Sequence, residues 1–93
     1  MELVSSNAKV LYYLYMNRRK KVYALAELSA ICLCNYFKTD NIVMMLGEEK
    51  FIRLAKRYED NEWYYEIVLT EKGKRIGKQV GKLLEVCSNY SGM

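Results

Sequence analysis

Three groups of side chains in this sequence have the types and spacing to meet a polyanion. Lys38, Thr39, Asn41 and Met45 recur at helical spacing in one segment, which puts them on the outer side of a helix. Asparagine can pair with two atoms of an adenine edge, and lysine can donate to guanine. Arg53, Lys56 and Arg57 precede a polar turn in an aromatic, β-rich segment, where they can reach phosphates or a minor groove. Arg18-Arg19-Lys20-Lys21 is a basic run able to touch phosphates without reading bases. Each group has a plainer reading. The helix can be a core helix with a polar outside. The hairpin cations can pair with Glu59, Asp60 and Glu62. The basic run can be a solvated connector.

Other chemistries find little support. The 93 residues include no histidine, which removes the commonest general base and the commonest nitrogen ligand for zinc. Cys32 and Cys34 are spaced two apart, without the second pair a zinc knuckle needs. A small thiol-dependent enzyme built on either cysteine lacks a visible base. The expectation is no enzymatic activity, no metal, no cofactor and no small-molecule substrate. Hydrophobic residues make up 52% of the chain and charged residues 28%, an ordinary globular balance. The net charge of +4 directs attention to nucleic acid. The longest apolar run, Val10–Met16, is far short of a membrane span, and the first residues lack a basic, cleavable leader. An intracellular location and no membrane partner are expected.

The elements that must position these residues follow from periodicity and caps. Ser5-Ser6 caps a first helix over about 6–18, apolar or aromatic all round in its middle, which suggests one face toward its own core and one toward a partner chain. A short strand at 21–24 precedes a second helix with Leu25, Leu28, Ala30, Ile31 and Leu33 as its apolar set. Asn35 caps a third helix over about 36–49, with Phe37, Ile42, Val43 and Leu46 expected inside. Two strands, 51–58 and 63–70, flank the polar loop 59–62 and form a hairpin. Leu54 shares the parity of Ile52, and Tyr65, Ile67 and Leu69 share another. Thr70 caps a last helix over about 70–89, whose stripe is Ile76, Val80, Leu83, Leu84 and Cys87.

Gly73, Gly77 and Gly81 fall near one face of that last helix. Each glycine costs about 1 kcal/mol against alanine in a helix interior, so close approach of the first helix or of a second chain must offset it. Expected dimer-interface residues are Leu11, Tyr15, Ile76, Gly77, Val80, Gly81, Leu84 and Cys87. Two copies of Cys87 can form an interchain disulfide across a two-fold axis, or stay as reduced buried thiols.

The phrase Val68-Leu69-Thr70-Glu71-Lys72-Gly73-Lys74-Arg75-Ile76 resembles the close of the wing and start of the last helix in winged-helix regulators of the MarR type. Leu46–Ile52 resembles the end of their recognition helix. The size and tyrosine-rich style are similar to the small winged-helix proteins of archaeal spindle-shaped viruses, which would place the chain in a host cytoplasm. Lys50 stands where the family usually has glycine, and the third helix carries Asp40, Met44 and Met45 and little positive charge.

The resemblance implies an α+β winged helix-turn-helix occupying residues 1–93 as a single domain. Its terminal helices, about 5–18 and 70–89, would contribute to a homodimer. It further implies a sequence-specific regulator of transcription that binds double-stranded DNA, with the third helix in the major groove and the wing on flanking backbone or minor groove. The alternative is a winged-helix adaptor that binds proteins and has weak or no affinity for DNA.

Overall fold

A computed structural model describes the backbone of residues 5–91 and the side chains of residues 5–83. The elements run α1 (Ser6–Met16), β1 (Val22–Ala24), α2 (Leu25–Cys32), α3 (Tyr36–Glu48), β2 (Ile52–Glu59), β3 (Glu62–Leu69) and α4 (Glu71–Ser91). The order matches the sequence reading, with ends shifted by a residue or two. Ser5 caps α1 by accepting from the Ala8 amide at 3.2 Å, and Asn35 caps α3 by accepting from the Lys38 amide at 2.8 Å.

The three strands form an antiparallel sheet in the order β1-β3-β2. Asp60 and Asn61 join β2 to β3, both with positive φ (53° and 63°). A two-residue turn of that handedness matches the twist of the strands, and these two residue types tolerate it best after glycine. The hairpin loop is therefore shorter than the four polar residues of the sequence suggested. Leu54 and Ile52 face the core from β2, as do Tyr65, Ile67 and Leu69 from β3.

The core lies between the sheet and the helices. Val10, Leu14, Leu28, Val43, Leu46, Tyr23 and Tyr65 are sealed from solvent there. Tyr23 keeps its hydroxyl satisfied by donating to the Asn17 and Lys20 carbonyls at 2.8 and 3.0 Å, so its ring is buried without an orphaned polar atom.

The glycine spacing is explained within one chain. Helix α4 lies on α1, and a β-carbon at Gly77 would stand 2.7 Å from Tyr15 Cβ, one at Gly81 2.9 Å from Tyr12 Cε1. Of the expected dimer residues, Leu11 is buried in the monomer core. Tyr15, Ile76, Gly77 and Gly81 are engaged in the chain's own packing, and Val80 is half-buried. Leu84 and Cys87 lie outside the described side chains.

The junction between α3 and β2 turns at Lys50, whose φ is 64°. Its amide donates to the Gly47 carbonyl and the Phe51 amide to that of Leu46, the pattern that closes a helix through a left-handed residue. Glycine adopts this conformation without strain, and lysine does not. Lys50→Gly is expected to raise stability by up to about 1 kcal/mol, because relief of the left-handed strain exceeds the entropy gained by the unfolded chain. Urea denaturation of the two proteins checks the sign.

Candidate nucleic-acid interface

Helix α2 and helix α3 are joined through Leu33, which takes a left-handed conformation (φ 55°) and ends α2. A buried polar knot fixes the angle between them. Thr39 Oγ1 donates to the Asn35 carbonyl at 2.8 Å, accepts from Ser29 Oγ at 3.1 Å and lies 3.4 Å from Cys32 Sγ. Thr39 is therefore fully buried and does not stand on the outer face as its neighbours' spacing suggested. Met45 is likewise half-buried against the core. Cys32 serves as a small buried hydrophobe, and Cys34 is partly exposed.

The outer face of α3 presents Phe37, Lys38, Asn41, Met44 and Glu48. Phe37 was expected inside and is instead 78% exposed. Leu33 and Ile31, expected in the α2 apolar set, are also exposed, Leu33 at 86%. Asn41 makes no side-chain hydrogen bond among the described residues. The face is thus poorer in charge and richer in apolar surface than a phosphate-binding helix.

Asp40, beside this face, is a strut. It accepts from the Tyr65 hydroxyl of β3 at 2.6 Å and pairs with Lys56 of β2 at 2.9 Å, tying α3 to both wing strands. Lys56 also lies 5.0 Å from the Trp63 ring centre. Arg57 is held by Glu66 at 2.8 Å and Glu59 at 3.1 Å. Of the three wing cations, Arg53 alone carries no ion pair among the described residues, and it is exposed.

Of the basic run, Lys21 shares a groove with Arg53 at the base of the wing, away from the hairpin tip. Lys21 O accepts from Ile67 N, which sets the turn at the end of β3 away from the hairpin tip and the start of α3. Glu27 of α2 holds the turn by pairing with Lys20 at 2.7 Å and accepting from the Tyr13 hydroxyl. Arg18 lies over the Tyr15 ring at 4.5 Å.

These contacts give the fold a defined pH window. Burial works to raise Asp40 and Glu27, but hydrogen bonds from Tyr65 and Lys56, and from Lys20 and Tyr13, outweigh it and leave both carboxyls below their usual values. A folded pKa below the unfolded one contributes stability that is full above the unfolded value and lost as pH falls through the folded one. The two tyrosines act oppositely. The bond to Glu27, then burial, pushes Tyr13 up to about 12, while burial and Asp40 push Tyr65 up. Their contribution is full below the ordinary tyrosine value of 10.0 and is lost as pH rises through the folded values. Denaturant midpoints measured across pH should hold a plateau between the two limits. Asp40→Asn should flatten part of the acid limb, and an unchanged limb would show that the strut contributes nothing to it.

The arrangement described here, two helices joined by a tight turn, then a hairpin and a long closing helix, recurs among solved structures. MepR, a transcription regulator of the Staphylococcus aureus multidrug efflux pump MepA, superposes with a TM-score of 0.66 at 14% identity over 91% of this chain and 60% of its own. SPO1453, a MarR family transcriptional regulator from Silicibacter pomeroyi DSS-3, gives 0.66 at 12% identity, covering 91% and 57%. F-93 of SSV1 gives 0.67 at 24% identity and covers 97% of both chains. The fold is a winged helix. This winged helix spans about three fifths of the length of MepR, and nearly the whole length of F-93. No family model matches the sequence, and no curated protein sequence matches it either.

Within the winged helix, the exposed aromatic residues around α3 escaped the sequence reading. Hydrophobicity alone places Phe37 inward. Its phase said otherwise: Ile42, Val43 and Leu46 lie three, four and seven residues after Thr39, so the buried stripe begins at Thr39.

Proposed function

We propose that this winged helix binds double-stranded DNA as a homodimer and regulates transcription. The observation that carries the reading is the outer face of α3, where Asn41 and Lys38 stand exposed on the second helix of a helix-turn-helix, beside a hairpin. A helix fits the major groove, about 12 Å wide. There Asn41 would pair with adenine, Lys38 would donate to guanine or a phosphate, and Phe37 would contact a thymine methyl. Arg53 would serve the flanking backbone from the wing. Lys56 and Arg57 would do so only by exchanging their carboxylate partners for phosphates. The regulators MepR and SPO1453, which share the fold, support this reading by analogy.

The homodimer would use the face of α4 turned away from α1, where Leu83 is exposed. Two-fold symmetry would then set two copies of α3 about 34 Å apart, on a pseudo-palindromic site.

The test is recovery and sequencing of random duplex DNA retained by the protein at several salt concentrations. An inverted repeat, with affinity falling steeply as salt rises, is the expected outcome. A second reading, a protein-binding adaptor, is favoured by one observation: two of the three wing cations, Lys56 and Arg57, are paired with carboxylates of the same chain. No enriched sequence, with a salt dependence worth only one or two phosphates, would establish that reading instead.

A further inference from the structure

The sheet carries opposite charge at its two ends. The wing tip holds Glu59, Asp60 and Glu62, and Glu59 faces Glu62 directly across the β2–β3 ladder. Like charges placed opposite each other destabilise a hairpin, so the tip carries a cost that its own folding does not require. Of these three carboxylates only Glu59 is paired, with Arg57, which Glu66 also holds. Asp60 and Glu62 make no ion pair among the described residues, and Glu62 accepts only from the Tyr64 hydroxyl.

Beside this rim is a groove of about 490 Å³ lined chiefly by Tyr36, Tyr58, Trp63 and Leu25. The Tyr58 and Trp63 rings meet at a tilt, 5.0 Å between centres, and both are substantially exposed. Ring faces attract cations, as Lys56 over Trp63 does within the chain. A rim of carboxylates repels phosphates, so this end of the wing is suited to a cationic protein surface and not to a nucleic-acid backbone.

Such a surface exists on the same chain. The α1–β1 turn carries Arg18, Arg19, Lys20 and Lys21 next to exposed Met16. Arg19 and Lys21 have no side-chain partner among the described residues. The turn lies beside Ile67 and the tip at Asn61, six residues along β3, which is roughly 20 Å at strand spacing. A chain cannot bring its own turn to its own tip over that distance along a paired strand.

We propose that the wing tip of one molecule docks the basic α1–β1 turn of a second copy, head to tail. The carboxylates meet Arg19 and Lys21, and Met16 with the arginine planes meets the aromatic groove. Such a contact is heterologous. Each contact leaves the pair with one unused tip and one unused turn, so the contact can be repeated into assemblies of more than two chains. It is small, and grows in importance where molecules are crowded along a common scaffold. It does not depend on DNA binding and is tested without DNA.

The test is sedimentation velocity of the whole chain at low salt, over a range of concentrations. The wild type is expected to gain mass beyond two chains as concentration rises, and to lose that gain in about 0.5 M salt, where screening shortens to a few ångströms. A tip-reversed variant, Glu59→Lys with Glu62→Lys, loses the gain, as does a turn-reversed variant, Arg19→Glu with Lys21→Glu. An equimolar mixture of the two regains it, because each tip now meets a turn of opposite sign. All four positions are exposed, and circular dichroism of both variants checks that they fold. A wild-type mass independent of concentration, or a mixture no heavier than its components, overturns the proposal.

Discussion

Replacing Gly73 with alanine is expected to destabilise the fold by about 3 kcal/mol or more, the upper end of overpacking costs, and to lower the melting temperature by roughly 12–24 °C. A β-carbon there would lie 2.0 Å from the Phe51 carbonyl oxygen and 3.0 Å from Leu69 Cδ2. The oxygen has nowhere to go. It accepts from the Thr70 amide at 3.1 Å, with the Thr70 hydroxyl 3.0 Å away, and that hydroxyl in turn accepts from the Gly73 amide at 3.1 Å to cap α4. Any retreat of Phe51 therefore breaks the joint between α3, the wing and α4 together. Gly77→Ala should cost less, because its obstacle is Tyr15 Cβ at 2.7 Å, and relief needs the two helices to part slightly. Gly81→Ala should cost least. It meets only the edge of the Tyr12 ring at 2.9 Å, which can swing aside, and it gains about 1 kcal/mol of helix propensity. Denaturant midpoints of the three variants check the order, and equal losses would refute this assignment of neighbours.

The same three glycines show where the sequence was legible and where it stopped. Their spacing on one helical face, and their cost, required a close neighbour, and α1 is that neighbour. Spacing alone did not distinguish a helix of the same chain from one of a second chain, since both would meet the same face. The hairpin was legible because β3 alternates cleanly, β2 does so at its start, and Asp60-Asn61 suits a left-handed turn. Periodicity and caps made the element order legible, and the resemblance of the Val68–Ile76 phrase to winged-helix regulators supplied the topology. The site was less legible, for two reasons. Hydrophobicity drew Phe37 inward although the phase of Ile42, Val43 and Leu46 pointed it out. Periodicity also says nothing about pairing across the fold, so the capture of Lys56 by Asp40, 16 positions away in the chain, was hidden. Asp40 looked like a misplaced charge on a binding helix; its meaning emerges only when β2 and β3 come alongside.

Three consecutive residues of α3 should therefore give three different phenotypes in DNA binding, if the proposed function holds. Asn41→Ala should cost about 1–3 kcal/mol, roughly 5- to 150-fold, and only on duplexes carrying the preferred base at one position, because it removes an outward bidentate group and leaves the packing intact. Asp40→Asn should do the reverse. The amide can keep the Tyr65 contact but releases Lys56, so affinity should rise on all sequences and the salt slope should steepen by about one ion. Thr39→Val should leave base preference and salt slope alone. It breaks the knot with Ser29 and Asn35 and lowers stability by about 1–3 kcal/mol. Binding titrations on the selected site and on single-base variants, at several salt concentrations, separate these outcomes. The contrast between neighbours matters more than any single loss. A helix that only packs would make Thr39→Val the severest change and Asn41→Ala silent, whereas a helix that reads bases makes Asn41→Ala selective while the fold stays intact.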